Sequence, residues 1–261
     1  MVAVERSIKP ECPRPVCGKD FLLLSAAGLL FTADLAVWHW SLQFTTVANS
    51  TVLTNVAPLF VTAGAWLVLS ERITMSFIAG MMLAMGGATL LASASLNLSV
   101  RSLWGDALAL ATALFYAGYL LAVKSLRRSF STVTVMAWSG LVSCLGLFLV
   151  ARLSGEVFWP RTPRGWSVLV ALALLSHVGG QALIAFGLGH LPASFSSVSL
   201  LWQPAVAAPL AWLILKEPIG LAQGVGGVVV LGGILLARGC GQRKAKDPLP
   251  KRTRTRNLSS Q

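Results

Sequence analysis

Charge is scarce in this chain. Asp, Glu, Lys and Arg make up 11% of its 261 residues, where a soluble domain carries about a quarter. Acid is scarcer still, with nine Asp and Glu against 21 Lys and Arg. Amphipathic stripes are missing too, because the apolar residues come in unbroken runs. These absences exclude a water-soluble globule. Cysteine is limited to Cys12, Cys17, Cys144 and Cys240, at no zinc-ligand spacing, so free thiols and no metal are expected. There is no HExxH, no pair of aspartates inside apolar runs and no nucleophile beside a base, which disfavours an intramembrane enzyme. No cofactor is expected. The first 20 residues hold Glu5, Glu11 and Asp20 without an apolar centre, so they do not read as a cleavable signal.

What is present is hydrocarbon. Hydrophobic residues reach 55% and the mean hydropathy is +0.73. A run of about 20 apolar residues crosses a hydrocarbon core of roughly 30 Å. Eight such runs lie near 21–40, 49–69, 76–94, 105–123, 132–151, 166–187, 195–215 and 220–237. The expected class is an all-α polytopic membrane protein, embedded in the lipid bilayer. An even number of spans puts both termini on one side. Cytoplasmic termini leave 16 basic residues inside and five outside (Arg101, Arg152, Arg161, Arg164 and Lys216), as the positive-inside rule asks. A cell or inner membrane location follows.

The net charge of +12 belongs to the ends and loops. The closing stretch "RKAKDPLPKRTRTRNLSSQ" is polar and Pro-broken, so a disordered basic tail is expected over 239–261. Its expected partner is anionic lipid rather than nucleic acid, at about 1 kcal/mol per basic residue near the surface.

Two stretches repeat: "VAPLFVTAGAWLVLSERIT" and "WQPAVAAPLAWLILKEPIG". One ungapped offset of 146 aligns Pro58 with Pro204, Trp66 with Trp212 and Glu71 with Glu217. The same offset pairs Gly80 with Gly226 and Gly86-Gly87 with Gly232-Gly233. Pro58 and Pro204 are expected each to break one bond of a regular span, where neighbours or water satisfy the freed carbonyl. The glycines permit close helix approach. Glu71 and Glu217 fall in turns, and read as caps near the positive end of the next helix. Helices two and three match seven and eight, five spans on, so the second copy is inverted. Inverted repeats are a feature of secondary transporters, with the site near the midplane between the halves.

The proline-bearing helix, the Leu-x-Glu turn and the glycine-spaced helix resemble the EamA domain of the drug/metabolite transporter superfamily. "ADLAVWHWSLQFTTVANSTVLTNVAPLF" resembles the corresponding stretch of bacterial members, and the likeness covers roughly residues 13 to 240. The resemblance implies ten helices in two inverted repeats of five, and transport of amino acids or other metabolites without a nucleotide-binding domain. On that pattern, 1–20 is a short cytoplasmic segment and 21–96 a partial first repeat of three helices. Residues 105–238 then form a complete second repeat, beginning at "WGDALALATALFYAGYLLAVKSLRR". Counterparts of the first two helices are expected to be missing, through a late start or a truncation.

Asp34 is the only acidic residue well inside a span. An intramembrane carboxylate is costly, about 2.5–3.5 kcal/mol on insertion scales, and is read as facing a bundle interior. Trp38 follows by four and shares its face. His39 is rotated away, and with Trp40 it reads as an interfacial anchor. The repeat offset places Gly180 opposite Asp34, His177 opposite Phe31 and Gln181 opposite Leu35, so the sixth span carries its own polar set, "SHVGGQ". Asn55 and Gln203 lie beside the two prolines, and Tyr116 and Tyr119 on the fourth span add aromatics. Asp106 reads as the cap of that span. Asp34, Trp38, Asn55, Tyr116, His177, Gln181 and Gln203 are the expected substrate path.

The expected function is alternating-access transport of small amino-acid-like or drug-like solutes, with export favoured and a homodimer open. A truncated, non-transporting membrane product is the alternative.

Overall fold

The computed structural model describes residues 18–92, 103–155, 159–215 and 220–241. The leader before Gly18, Glu217 with its turn, and the basic tail beyond 241 lie outside the described residues. So do the capping role expected of Glu217 and the lipid contact expected of the tail. The described residues form helices and no strand. Seven stretches are long and apolar enough to cross a membrane: Gly18–Ser41, Val47–Leu69, Met75–Ala92, Leu103–Leu126, Thr132–Leu153, Pro163–His190 and Leu221–Arg238. Between the last two, α9 (Ala193–Leu200) and α10 (Trp202–Leu215) occupy the remaining expected span.

The first span is one helix, α1 (Gly18–Ser41). The second is two, α2 (Val47–Thr54) and α3 (Ala57–Leu69), with Thr46 accepting from Asn49 N at the start of α2. Pro58 and Pro204 do more than the single lost bond expected of each. Thr54 ends α2 and Leu200 ends α9, and each stands four residues before a proline. The proline ring clashes with the carbonyl at that distance and offers it no N–H. The helix therefore stops there and restarts with the proline in its first turn, where no N–H is needed. Pro209 lies inside α10 without dividing it.

Shifting the chain by 146 carries α2 onto α9 end for end, and Leu69, the last residue of α3, onto Leu215. It also carries Met75, the start of α4 (Met75–Ala92), onto Leu221, the start of α11 (Leu221–Gly241). These two repeat-related helices pack on each other antiparallel. A Cβ at Gly80 would meet the carbonyl of Gly233, and one at Gly87 the carbonyl of Gly226, both under 3 Å. Because Gly80 matches Gly226 and Gly87 matches Gly233, each contact is the other's image across a pseudo-two-fold axis. This is the geometry of an inverted repeat. Ala84, Ala88, Val230 and Ala237 are buried in the same seam, where small side chains let the backbones approach.

The fourth and fifth spans, α5 (Leu103–Leu126) and α6 (Thr132–Leu153), pack against α1. Gly28 lies against α6, where Ser143 Oγ donates to Gly28 O at 2.9 Å. Thr32 Oγ1 donates to the same carbonyl at 2.9 Å. A Cβ at Gly146 would in turn strike Thr32. Such bonds in lipid are worth on average about 0.6 kcal/mol each, so close packing carries most of the contact. The main core gathers Leu24, Ala27, Phe31, Val61, Leu120 and Val123 from α1, α3 and α5.

The sixth span departs from a regular helix. It runs as α7 (Pro163–Ala171), a π-helical segment over Leu172–Gln181 and α8 (Ala182–His190). The polar set "SHVGGQ" lies in the π segment. Wider turns there reset which side chains face inward.

Candidate functional site

Five spans surround a cavity of about 410 Å³, within the roughly 300–1,000 Å³ range of ligand sites. From α1 it receives Phe31, Asp34 and Trp38, and from the break between α2 and α3 it receives Asn55 and Pro58. Thr112 and Tyr116 come from α5, Ser176, His177 and Gln181 from the π segment, and Ser197 and Gln203 from the broken seventh span. All seven residues expected on the substrate path thus line one space. Pro58 joins them. Pro204, Glu71 and His39 do not, and Glu217 lies outside the described residues.

Each contribution has a local cause. The division of the second span at Asn55 leaves Asn55 Nδ2 buried without a hydrogen-bond partner. In the π segment Gln181 Oε1 is likewise buried and unpartnered. Asp34 is 7% exposed, and among the described residues its carboxylate makes no hydrogen bond. An aromatic series runs beside it: the His177 ring lies 5.2 Å from Phe31, Phe31 lies 4.8 Å from Tyr119, and Tyr119 lies 6.2 Å from Tyr116. Tyr116 reaches the cavity, while Tyr119 is buried in the core. Among the described residues, Asp34 is the only carboxylate on the wall, and no Lys or Arg joins it.

His39 is exposed, and its Nδ1 donates to Leu35 O at 2.8 Å, one turn back on its own helix. Trp40 is 43% exposed. Phe31, Thr112, Ser176 and Ser197 also line the cavity without being expected on the path. The hydroxyls carry no signal in the sequence, since serine and threonine in a helix also bond their own backbone. Thr112 Oγ1 does so to Leu108 O at 3.1 Å, and Ser197 Oγ to Ser194 O at 2.8 Å. Phe31 could have been found through its repeat partner, His177.

Two expected caps reach beyond their own helices. Glu71 does not serve its own next helix, because Thr74 Oγ1 already accepts from Phe77 N at 3.2 Å at the start of α4. Glu71 crosses to the other repeat instead and caps α9. Its carboxylate accepts from Ala193 N at 2.7 Å, Ser194 N at 3.2 Å and Ser194 Oγ at 2.7 Å. On the other side of this connection, Lys124 Nζ donates to Leu188 O at 2.9 Å and Leu191 O at 2.7 Å. Arg127 is buried beneath it, with Nε on Ala185 O at 3.2 Å. Asp106 stands in the first turn of α5 rather than before it, and accepts from Thr45 Oγ1 at 2.7 Å.

A cavity between inverted halves invites comparison with known membrane proteins. The model of the EamA-like transporter family matches residues 8–93 and 103–239. The chain belongs to the EamA-like transporter family. An uncharacterized transporter of Bacillus subtilis strain 168, YetK, is 26% identical over 202 residues; the match covers 76% of this chain but 61% of YetK. A protein of Streptantibioticus cattleyicolor named "Probable terminal-alkyne amino-acid exporter" is 29% identical over 243 residues, covering 90% of this chain and 79% of its own. A solved crystal structure at 17% identity superposes with a TM-score of 0.76, over 93% of this chain and 83% of its own, and so shares the fold. This EamA-like chain is a multi-pass membrane protein of a transporter family.

Proposed function

We propose that this chain is a secondary transporter that exports small amino-acid-like or drug-like solutes by alternating access. The observation that carries this reading is the position of the cavity. It lies where repeat-related broken helices meet, about midway along the spans, and Asp34 is the only carboxylate of its described wall. Unwound helix near the midplane, lining a space between inverted repeats, is how such carriers hold their cargo. The S. cattleyicolor relative's name as an amino-acid exporter supports export and the solute class. Location in the cell membrane with both termini cytoplasmic belongs to the same proposal, on the basic-residue asymmetry.

The experiment is a comparison of culture media. Cells overproducing the chain are compared with cells overproducing Asp34→Asn at matched membrane abundance, and dissolved metabolites are profiled. The expected result is at least one solute accumulating outside with the wild type and falling with the variant. Identical profiles from wild type and empty vector sink the export reading.

A further inference from the structure

We infer that the cavity takes a solute bearing an ammonium group, seated on Asp34, in preference to an anion of the same shape. The inference deepens the transport reading above and rests on the cavity being its solute site.

Charge is the first ground. Among the described residues, Asp34 faces the cavity with no hydrogen bond and no Lys or Arg on the wall. Lys124 and Arg127, on the fourth span and just past its end, are turned to backbone carbonyls of Leu188, Leu191 and Ala185. Among the described residues this carboxylate is therefore left without a Lys or Arg on its wall, in a place where charges act on each other more strongly than in water. A cation offsets that charge, and an anion adds to it. Discrimination of this kind comes from the repelled partner as much as from the attracted one.

The wall beside Asp34 suits the same cargo. Phe31, Trp38 and Tyr116 present rings to the cavity, and aromatic faces attract organic cations, most of all when water is excluded. Asn55 and Gln181 each hold a buried amide atom without a partner. Either end of an amide can be turned to the space, so the pair serves an uncharged hydrogen-bonding group on the solute. Room is ample: 410 Å³ exceeds the share of roughly a dozen waters in the liquid.

The test uses the purified full chain in lipid nanodiscs and three probes that share a phenylethyl frame and differ in charge: 2-phenylethylamine, phenylalanine and 3-phenylpropionate. Tritiated 2-phenylethylamine is bound and then competed by each. The amine is expected to bind at least about tenfold tighter than the propionate, a difference of about 1.4 kcal/mol. Asp34→Asn is expected to remove that preference and Asp34→Glu to restore part of it. Equal binding of the three probes, binding of none, or an amine affinity unmoved in folded Asp34→Asn overturns the assignment. The media comparison still decides transport itself, so the two readings fail separately.

Discussion

The first and sixth spans hold equivalent places in the two repeats and are packed in opposite ways. α1 lies against α5 and α6, with Gly28 pressed on Ser139 and Val142. The repeat offset carries Gly28 onto Leu174, which is 58% exposed. Around it Trp166, Val168, Leu172 and Leu175 are exposed as well. Among the described residues nothing takes the place beside the sixth span that α5 and α6 take beside α1. The difference separates two jobs of a cavity wall. α1 is anchored on protein and holds the carboxylate. Its mate is exposed on that side among the described residues, is wound as a π-helix through its polar set, and brings an amide and an imidazole to the same space.

The largest effect expected from this contrast is at Gly28. Gly28→Leu gives α1 the residue its mate carries, but the first carbon alone would stand 2.7 Å from Ser139 O and from Val142 Cβ. The helices must part, and the Ser143 bond to Gly28 goes with them. A loss of about 3 kcal/mol is expected, at the upper end for overpacking, read as a lower melting temperature in detergent. A variant that melts like the wild type would mean that α1 is not clasped as described.

A smaller effect is expected at the tie between the halves. Glu71→Ala removes a carboxylate that accepts three hydrogen bonds at the start of α9. The cost is about 1–2 kcal/mol, as for lost caps. Glu71→Gln, which keeps an oxygen acceptor, is expected to recover part of it. If Ala and Gln behave alike and cost nothing, the crossing contact does not hold α9.

Asp34→Asn is expected to change thermal stability by less than about 1 kcal/mol, and toward greater stability, because an unpaired buried charge is a cost that a neutral amide avoids. Loss of solute binding without loss of stability would mark Asp34 as a working residue. A fall of several degrees would instead mark it as a structural one.

Much of this contrast is legible in the order of residues alone. Span existence follows from hydropathy, and the repeat follows from one ungapped offset. Cavity residues stand out because a polar side chain inside an apolar run needs water, a partner or a cargo to offset its desolvation. The rest depends on partners that sequence does not name. Glu71 reads as a cap for α4, the next helix, until Thr74 is seen to occupy that place. The π segment has no periodic signature over ten residues, and only Gly179-Gly180 hints at irregular backbone. The break at Thr54 and Leu200 could have been argued from the proline clash four residues on; expecting a single lost bond underestimated it.

The smallest effect belongs to the bare side of the comparison. Leu174→Ala, at the position matching Gly28, should change stability by less than about 0.5 kcal/mol, as for exposed sites generally. The side chain is 58% exposed, and truncating a side chain on a lipid-facing surface removes no apolar driving force. The variant is best measured beside Gly28→Leu in the same lipid. A cost near 2 kcal/mol, the range of buried leucines, would show that this face is covered in the membrane by a further helix, and the two spans would then be alike in their packing.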